Sequence, residues 1–207
     1  RTRVRKLTIL RKNVSTTKDA QQKFYVYFHK PADVAKTVFI VHKHLDRDDD
    51  RWLYLPALDL VKRIAASDKR SSFVGSDFVY EDLSGRSLTE DHHKLVKTTK
   101  NYYVLEHTPK NGSGVKFSRY VMHVHRGTFL PTKVVYYNKA GKKYRVMTVN
   151  SVKKIQGRHT VTKATMEDLG AGSKTVTTYS NVRYDNGLPD RIFTERYLRR
   201  APVKHLR

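Results

Sequence analysis

Short runs of alternating apolar and polar residues, separated by turn signals, extend along most of the chain. The strongest run covers residues 22–29, where Phe24, Val26 and Phe28 are predicted to point to one face of a strand. The two tyrosines between them point to the other face. Because both faces are hydrophobic, we expect this strand to be covered on both sides.

Similar but weaker runs predict further short strands. They fall at residues 4–10, 37–41, 52–55, 61–64, 95–99, 102–107, 116–124, 129–137, 142–155, 160–166 and 174–183. Residues 138–141 mark a hairpin turn between two of them, and Asn186-Gly187 ends the sheet. About ten strands joined by short turns predict an antiparallel, mainly β meander.

Residues 51–83 form the most distinctive stretch and hold the only tryptophan. Residues 52–55 read as a strand that Pro56 ends, because proline has no amide donor. Residues 71–83 lack regular alternation, and they predict a compact loop with a helical turn. A last helical turn is predicted at residues 189–193, and the basic tail at 196–207 is predicted to be a frayed, exposed end.

The charge balance is strongly basic. The 207 residues include 42 Lys and Arg against 19 Asp and Glu, a formal net charge of +23. Such a field attracts anions, which include nucleic acids, anionic lipid headgroups and acidic protein surfaces. The charge alone does not choose among them.

Other features of the composition concern the cellular compartment. The absence of cysteine excludes disulfides, thiolate metal sites and cysteine nucleophiles. The mean hydropathy is −0.66, and no apolar run approaches the length of a membrane-spanning helix. The chain begins at Arg1, so we expect any signal peptide to lie outside the sequence.

The aromatic residues allow three interpretations. The 8 Phe and 13 Tyr could form an ordinary core, line an apolar cavity, or stack on bases. For the last case, basic charge interleaved with aromatic residues is typical of sheets that bind single-stranded nucleic acid. However, no Lys/Arg-Gly-Phe-x-Phe signature is present.

The sequence contains no motif for catalysis. It has no G-x-S-x-G elbow and no Gly-rich phosphate loop, so an enzyme is not predicted. The carboxylates of Asp77, Glu81 and Asp82 are expected to form ion pairs that hold the loop on the sheet. Their predicted partners are close in sequence: Lys62, Arg63, Lys69, Arg70 and Arg86.

Histidine pairs give a weak metal signal. His123 and His125 are two apart on a predicted strand and share a face, as do His42 and His44. Because no further ligand is indicated for either pair, neither a metal nor another cofactor is predicted.

One long motif resembles the LolA-like outer-membrane lipoprotein-sorting family. The similarity starts at a Trp-x-Tyr-x-Pro pattern and a basic-Ile step, and it continues through Phe-x-Gly-Ser-Asp-Phe-x-Tyr-Glu-Asp-Leu. In this chain these are Trp52, Tyr54, Pro56, Arg63, Ile64, Phe73, Gly75, Ser76, Asp77, Phe78, Tyr80, Glu81, Asp82 and Leu83. It extends to Gly187-Leu188-Pro189 and to residues 193–198.

The resemblance implies a single domain over residues 1–207, preceded by a signal and a leading helix that this chain lacks. The implied fold is one strongly curved antiparallel sheet, an open half-barrel with short helical segments. Its hydrophobic cavity would hold acyl chains. The residues expected to line that cavity are Phe24, Val26, Phe28, Phe39, Trp52, Tyr54, Phe73 and Phe78.

A lid over the cavity is also implied by the resemblance. The expected lid and loop contacts are Lys30, Arg63, Asp77, Glu81 and Asp82. Family chaperones carry an arginine beside a proline where this chain has Lys30 before Pro31. An ammonium group does not reproduce the planar guanidinium fork, so a solvated lysine is the favoured interpretation.

The resemblance therefore implies a monomeric periplasmic carrier that sorts lipoproteins or transfers lipids and is not an enzyme. Its implied partners are lipoprotein or lipid acyl chains, an inner-membrane transporter, an outer-membrane acceptor and an anionic membrane surface. Two alternatives stay open: a basic nucleic-acid-binding β-domain, and a non-enzymatic envelope adaptor of a membrane transporter.

Overall fold

The computed structural model describes residues 2–14 and 21–206. These residues form two compact units. The first comprises the described residues up to 69 together with those from 185 onward, and the second comprises Arg70–Tyr184. The prediction that the whole chain acts as one domain stays a prediction.

The first unit contains an antiparallel sheet of five strands in sequence order. Its strands are β1 Lys6–Asn13, β2 Gln22–Lys30, β3 Val38–Lys43, β4 Asp50–Leu55 and β5 Leu60–Arg63. The predicted alternation along β2 is confirmed, since Val26 pairs with Phe39 and Tyr25 pairs with Ile40. Phe24, Val26 and Phe28 share one face, and all three are buried.

The opposite face of this sheet packs against the carboxyl-terminal segment. Tyr25 and Ile40 on the sheet join Phe193 and Leu198 of that segment in one hydrophobic core. The Tyr25 hydroxyl donates to the Tyr197 carbonyl oxygen at 2.9 Å. Side chains of the sheet therefore hold both the apolar groups and the backbone of the segment.

The prediction of a frayed tail is wrong. The segment forms a 3-10 turn at Asp190–Phe193, the short helix α2 at Arg196–Arg199, and a second 3-10 turn at Val203–His205. Leu198 and Leu206 are buried between exposed arginines and lysines. Leu198 and Leu206 are too far apart in sequence to show a helical or strand period. Their burial nevertheless anchors the segment.

A long segment without sheet strands connects β5 to the second unit. Between Arg63 and Asp91 it forms 3-10 turns at Ala66–Asp68 and Leu88–Glu90, and α1 at Tyr80–Ser84. This confirms the predicted compact loop with a helical turn. The Phe73 amide donates to the Phe78 carbonyl oxygen at 2.7 Å, which closes the loop on itself.

The second unit contains a seven-stranded antiparallel meander. Its strands are β6 Asp91–Thr98, β7 Tyr102–Pro109, β8 Phe117–His125, β9 Pro131–Asn138, β10 Lys143–Ile155, β11 Arg158–Asp168 and β12 Ser173–Thr178. Hairpin tips at residues 99–101, 126–130 and 156–157 lie at one end of this sheet, because neighbouring strands are antiparallel.

The mainly β class is confirmed, but the expectation of one strongly curved sheet is wrong. The strands form two antiparallel sheets, neither closed nor strongly curled. The segment between β5 and β6 contributes no sheet strand, and β5 and β6 are each the last strand of their own sheet. β5 pairs with β4 and β6 pairs with β7.

Within residues 2–14 and 21–206, no helix has the length and apolar character required to cross a membrane.

Candidate functional site

One face of the second sheet carries an apolar row that crosses its strands. The paired positions are Leu95 with Leu105, Leu105 with Met122, Met122 with Val134, Val134 with Met147, and Met147 with Met166. Directly paired residues of an antiparallel sheet point to the same face. We call these six residues the methionine row.

The methionine row contains every methionine of the sequence. Val134 and Met166 are buried, Met122 and Met147 are half-buried, and Leu95 is 55% exposed at the edge strand. Methionine has three rotatable bonds and a polarisable sulfur, so it adapts to ligands of different shape. The row is therefore an adaptable apolar strip across the sheet.

A second row on the same face, next to the methionine row, carries aromatic and charged groups. Paired positions place Tyr120 beside Tyr136 and Tyr136 beside Arg145. Phe117 and Tyr120 belong to a hydrophobic cluster into which Met122 and Met147 also pack. The two rows therefore share one core.

Arg145 fixes the preceding loop to this second row. Its guanidinium forms an ion pair with Asp82 and donates to the Asp77 carbonyl oxygen at 2.9 Å. Burial alone would lower the pKa of Arg145, but the Asp82 carboxylate outweighs it and keeps the pKa above its ordinary value. The guanidinium therefore stays charged.

A second buried arginine closes the same network. Arg86 donates from Nε and Nη2 to the two carboxylate oxygens of Asp91, each at 2.8 Å. The Tyr120 hydroxyl also donates to Asp91, at 2.8 Å. Burial, followed by the charge of Asp91, raises the pKa of Tyr120, so the hydroxyl remains a donor.

Two histidines extend this network toward the edge strand. Nδ1 of His93 and Nδ1 of His107 are 2.6 Å apart, so one donates and the other accepts. His93 Nε2 lies 2.7 Å from the Leu88 carbonyl oxygen, which can only accept. When both rings are neutral, His93 must carry its hydrogen on Nε2, and His107 must donate from Nδ1.

The predicted cavity residues are not brought together as one group. Phe24, Val26, Phe28 and Phe39 share one face of the first sheet and are buried. Trp52 pairs with Ile40 and therefore lies on the opposite face, which the carboxyl-terminal segment covers.

The other three predicted cavity residues lie on other elements. Tyr54 lies beside Trp52 on the covered face. Phe73 and Phe78 belong to the loop of the second unit, where the Phe73 ring meets Tyr80 edge-on at 5.4 Å. Whether any of the eight residues touches a ligand stays a prediction.

The predicted lid and loop contacts also separate. Lys30 is exposed at the end of β2, in line with a solvated lysine. Arg63 pairs with Asp50 and lies over the Trp52 ring. Neither residue is in the unit that holds the loop.

The three carboxylates of the loop do bind the scaffold, although only one uses cations close in sequence. Glu81 pairs with Arg70 and Arg86, as expected. Asp82 pairs with Arg145, and Asp77 accepts a hydrogen bond from the Thr175 hydroxyl at 2.6 Å. Lys69 pairs with Asp48.

The histidine pairs are used in hydrogen bonds. His42 Nε2 donates to the Phe193 carbonyl oxygen at 2.7 Å, and His44 contacts Asp50. His125 contacts the Thr128 hydroxyl. Throughout residues 2–14 and 21–206, no three metal-binding side chains come together in a group that could hold an ion.

The methionine row was not predicted from the sequence. Its members come from six strands, and only the register of the sheet places them in line. One signal was present: all three methionines fall at apolar positions of predicted strands. That signal gives the face of each strand but not the alignment between strands.

One family model and several solved structures are similar to this chain. A family model described only as an uncharacterized protein matches residues 20–200. A DUF1329 family protein from Desulfovibrio piger is 34% identical, with a TM-score of 0.85 over 94% of this chain and 83% of its own. None of the curated proteins compared with the chain matches it.

Two further solved structures are similar. A domain from Vibrio parahaemolyticus, provisionally assigned as an outer membrane lipoprotein-sorting protein, is 30% identical, with a TM-score of 0.81. The match covers 87% of this chain and 78% of that one. A LolA superfamily protein from Nitrosomonas europaea shares the fold, with 22% identity, a TM-score of 0.63, and coverage of 92% and 89%.

Proposed function

Because the chain belongs to the DUF1329 family, which is LolA-like, we propose that it carries the acyl chains of lipoproteins or free lipids across the bacterial cell envelope. The observation that carries this proposal is the likeness to the Vibrio lipoprotein-sorting domain over 87% of the chain. The carrier works in the periplasm and catalyses no reaction.

The methionine row is the proposed contact for the cargo. Each methylene removed from water contributes roughly 0.8 kcal/mol, so a few methylenes against the row give useful affinity. The cargo binds without covalent change and leaves when an acceptor offers a more apolar site. Phe24, Val26, Phe28 and Phe39 are the second proposed apolar surface, on the first sheet.

The mixed character of the second sheet supports reversible binding. Buried ion pairs at Arg86 and Arg145 hold the aromatic row in place. The neighbouring methionine side chains can change rotamer at little cost. A rigid row beside an adaptable one suits cargo whose chain length varies.

The test uses the fact that the sequence has methionine at three positions, all in one row. Replacing methionine with its diazirine analogue during expression places photoreactive groups at Met122, Met147 and Met166. Irradiation with a diacyl lipopeptide present should attach the acyl chain to peptides that contain these positions. Mass spectrometry reads the attachment site.

The water-soluble headgroup peptide of the same lipopeptide, without acyl chains, is the matched probe and should give no adduct. Adducts confined to an initiator methionine, or equal labelling by both probes, would contradict acyl binding at the row. Native mass spectrometry after gentle isolation from the cell envelope gives an independent measurement, because a carrier should retain lipid.

A further inference from the structure

In the second unit, the side of the methionine row that faces the hairpin tips carries positive side chains but no negative ones. Four segments form the half of the sheet from the row to the hairpin tips: residues 95–105, 122–134, 147–166 and 175–184. They contain nine lysines and arginines and no aspartate or glutamate. All eight carboxylates of Arg70–Tyr184 lie outside these four segments, either in the other half of the sheet or in the segment that precedes β6. We call the carboxylate-free half the cationic end.

The cations of this end lie at the protein surface. Every lysine and arginine of the four segments is exposed. In the other half of the unit, by contrast, Arg86 and Arg145 are occupied by buried carboxylates. The exposed cations of the unit are therefore concentrated toward the hairpin tips.

An exposed aromatic ring is held among these charges. Phe129, in the tip between β8 and β9, is 71% exposed. Its backbone is left-handed, with φ of 53°, and its amide donates to the His125 carbonyl oxygen at 2.8 Å. The turn therefore fixes the backbone that carries the ring.

Tyr103, at the start of β7, supports Phe129 from one side. The Phe129 ring stacks on Tyr103 with centroids 6.5 Å apart, and the Arg126 guanidinium lies 5.3 Å from the Tyr103 centroid. Arg126 also donates to the Thr99 carbonyl oxygen at 3.2 Å. Two tips are thus tied into one surface that presents an apolar group surrounded by cations.

We propose that the cationic end is a docking surface for an anionic phospholipid bilayer, with Phe129 inserted among the headgroups. Lysines and arginines near an anionic membrane are attracted to its surface, and an aromatic side chain at the interface adds an apolar contribution. Charge alone would fit nucleic acid equally well. The exposed Phe129 favours the bilayer, because a bilayer has an apolar interior that the ring can enter.

This inference goes beyond the carrying of cargo, and its test contains no cargo. Sedimentation with phosphatidylcholine vesicles that include phosphatidylglycerol should recover the full chain, whereas pure phosphatidylcholine vesicles should not. Binding to both vesicle types, or to neither, would overturn the proposal. Loss of acyl binding at the methionine row would leave this result unchanged, so the two proposals fail separately.

The first variant removes four exposed charges from the cationic end. Glutamine replaces Lys97, Lys100, Lys153 and Lys154. Its control removes four exposed charges from the opposite end of the same sheet, at Lys110, Lys116, Lys142 and Lys143. Both variants have the same net charge. The first should weaken vesicle binding at least about tenfold and the control by much less; equal losses would show that overall charge, not this surface, drives binding.

The second variant tests the aromatic ring. Asparagine tolerates the left-handed backbone, so Phe129→Asn removes the ring with little added strain. It should weaken binding to the anionic vesicles severalfold. If Phe129→Asn has no effect, and the Lys→Gln variant loses binding to a single-stranded oligonucleotide more than to vesicles, the surface serves nucleic acid and the proposal is wrong.

Discussion

The protonation of two buried histidines is constrained by their hydrogen-bond partners. Burial, followed by the charge of His93, lowers the pKa of His107. Burial also lowers the pKa of His42, although its hydrogen bond to the Phe193 carbonyl partly opposes the effect. If His107 gained a proton, Nε2 would become a buried donor, and among the described residues this atom has no hydrogen-bond partner.

This arrangement predicts that the protein loses stability on mild acidification. The folded state binds fewer protons than the unfolded state below the ordinary histidine pKa of about 6.5. The free energy of unfolding should therefore be fully retained above that pH and should fall as the pH is lowered through it. Urea unfolding at pH 7.5 and 5.5 measures the difference.

A variant at each of two neighbouring histidines completes that measurement. His107→Asn should reduce the difference between the two pH values. His92→Asn removes an exposed imidazole one residue from His93 and should leave the difference unchanged. An equal free energy of unfolding at both pH values in the parent protein would contradict the assigned tautomers.

At the level of the strand, local alternation was sufficient to predict which side chains share a face. The opposite directions of Phe24 and Tyr25 follow from the two-residue period of a strand. The period says nothing about which strand lies opposite or in what register. For that reason the alignment of Met122 with Val134 and Met147 could not be read from the sequence.

Ion pairs between residues close in sequence were predictable, whereas those between residues far apart in sequence were not. The pairing of Glu81 with Arg70 and Arg86 was predictable, because these residues are close along the chain. The partner of Asp82 is Arg145, which reaches it only after five more strands have formed. Sequence proximity identifies such a partner only when the fold keeps both residues on one segment.

The carboxyl-terminal segment gives a prediction at the level of an element. Phe193 is fully buried against the first sheet, and its carbonyl accepts from His42. Phe193→Ala should lower the free energy of unfolding by about 3–5 kcal/mol, because it leaves a cavity in that core. Chemical denaturation measures the change.

The matched variant for this segment is Val203→Ala, ten residues further along. Val203 is 62% exposed, so its replacement should change the free energy of unfolding very little. Limited proteolysis gives a second measurement: Phe193→Ala should make the segment sensitive to trypsin at its arginines. Unchanged stability and unchanged cleavage would show that the segment is not anchored by this core.

At the scale of the whole molecule, the formal net charge of +23 opposes compaction. Mutual repulsion among exposed cations raises the free energy of the folded state relative to the more expanded unfolded chain. The buried pairs at Arg86 and Arg145 are shielded from the solvent and respond weakly to salt. Added salt should therefore act mainly by screening the repulsion between exposed cations, which stabilises the folded state.

We accordingly predict that Tm rises when sodium chloride is raised from low to physiological concentration. The Debye length is about 8 Å at physiological ionic strength, short enough to screen repulsion between distant surface charges. Sucrose at equal osmolality is the control, because it cannot screen charge. The same salt should weaken binding to anionic vesicles. At low salt the protein should therefore have its lowest Tm and its strongest binding to anionic vesicles. If Tm and vesicle binding changed with salt in the same direction, surface charge would not explain both.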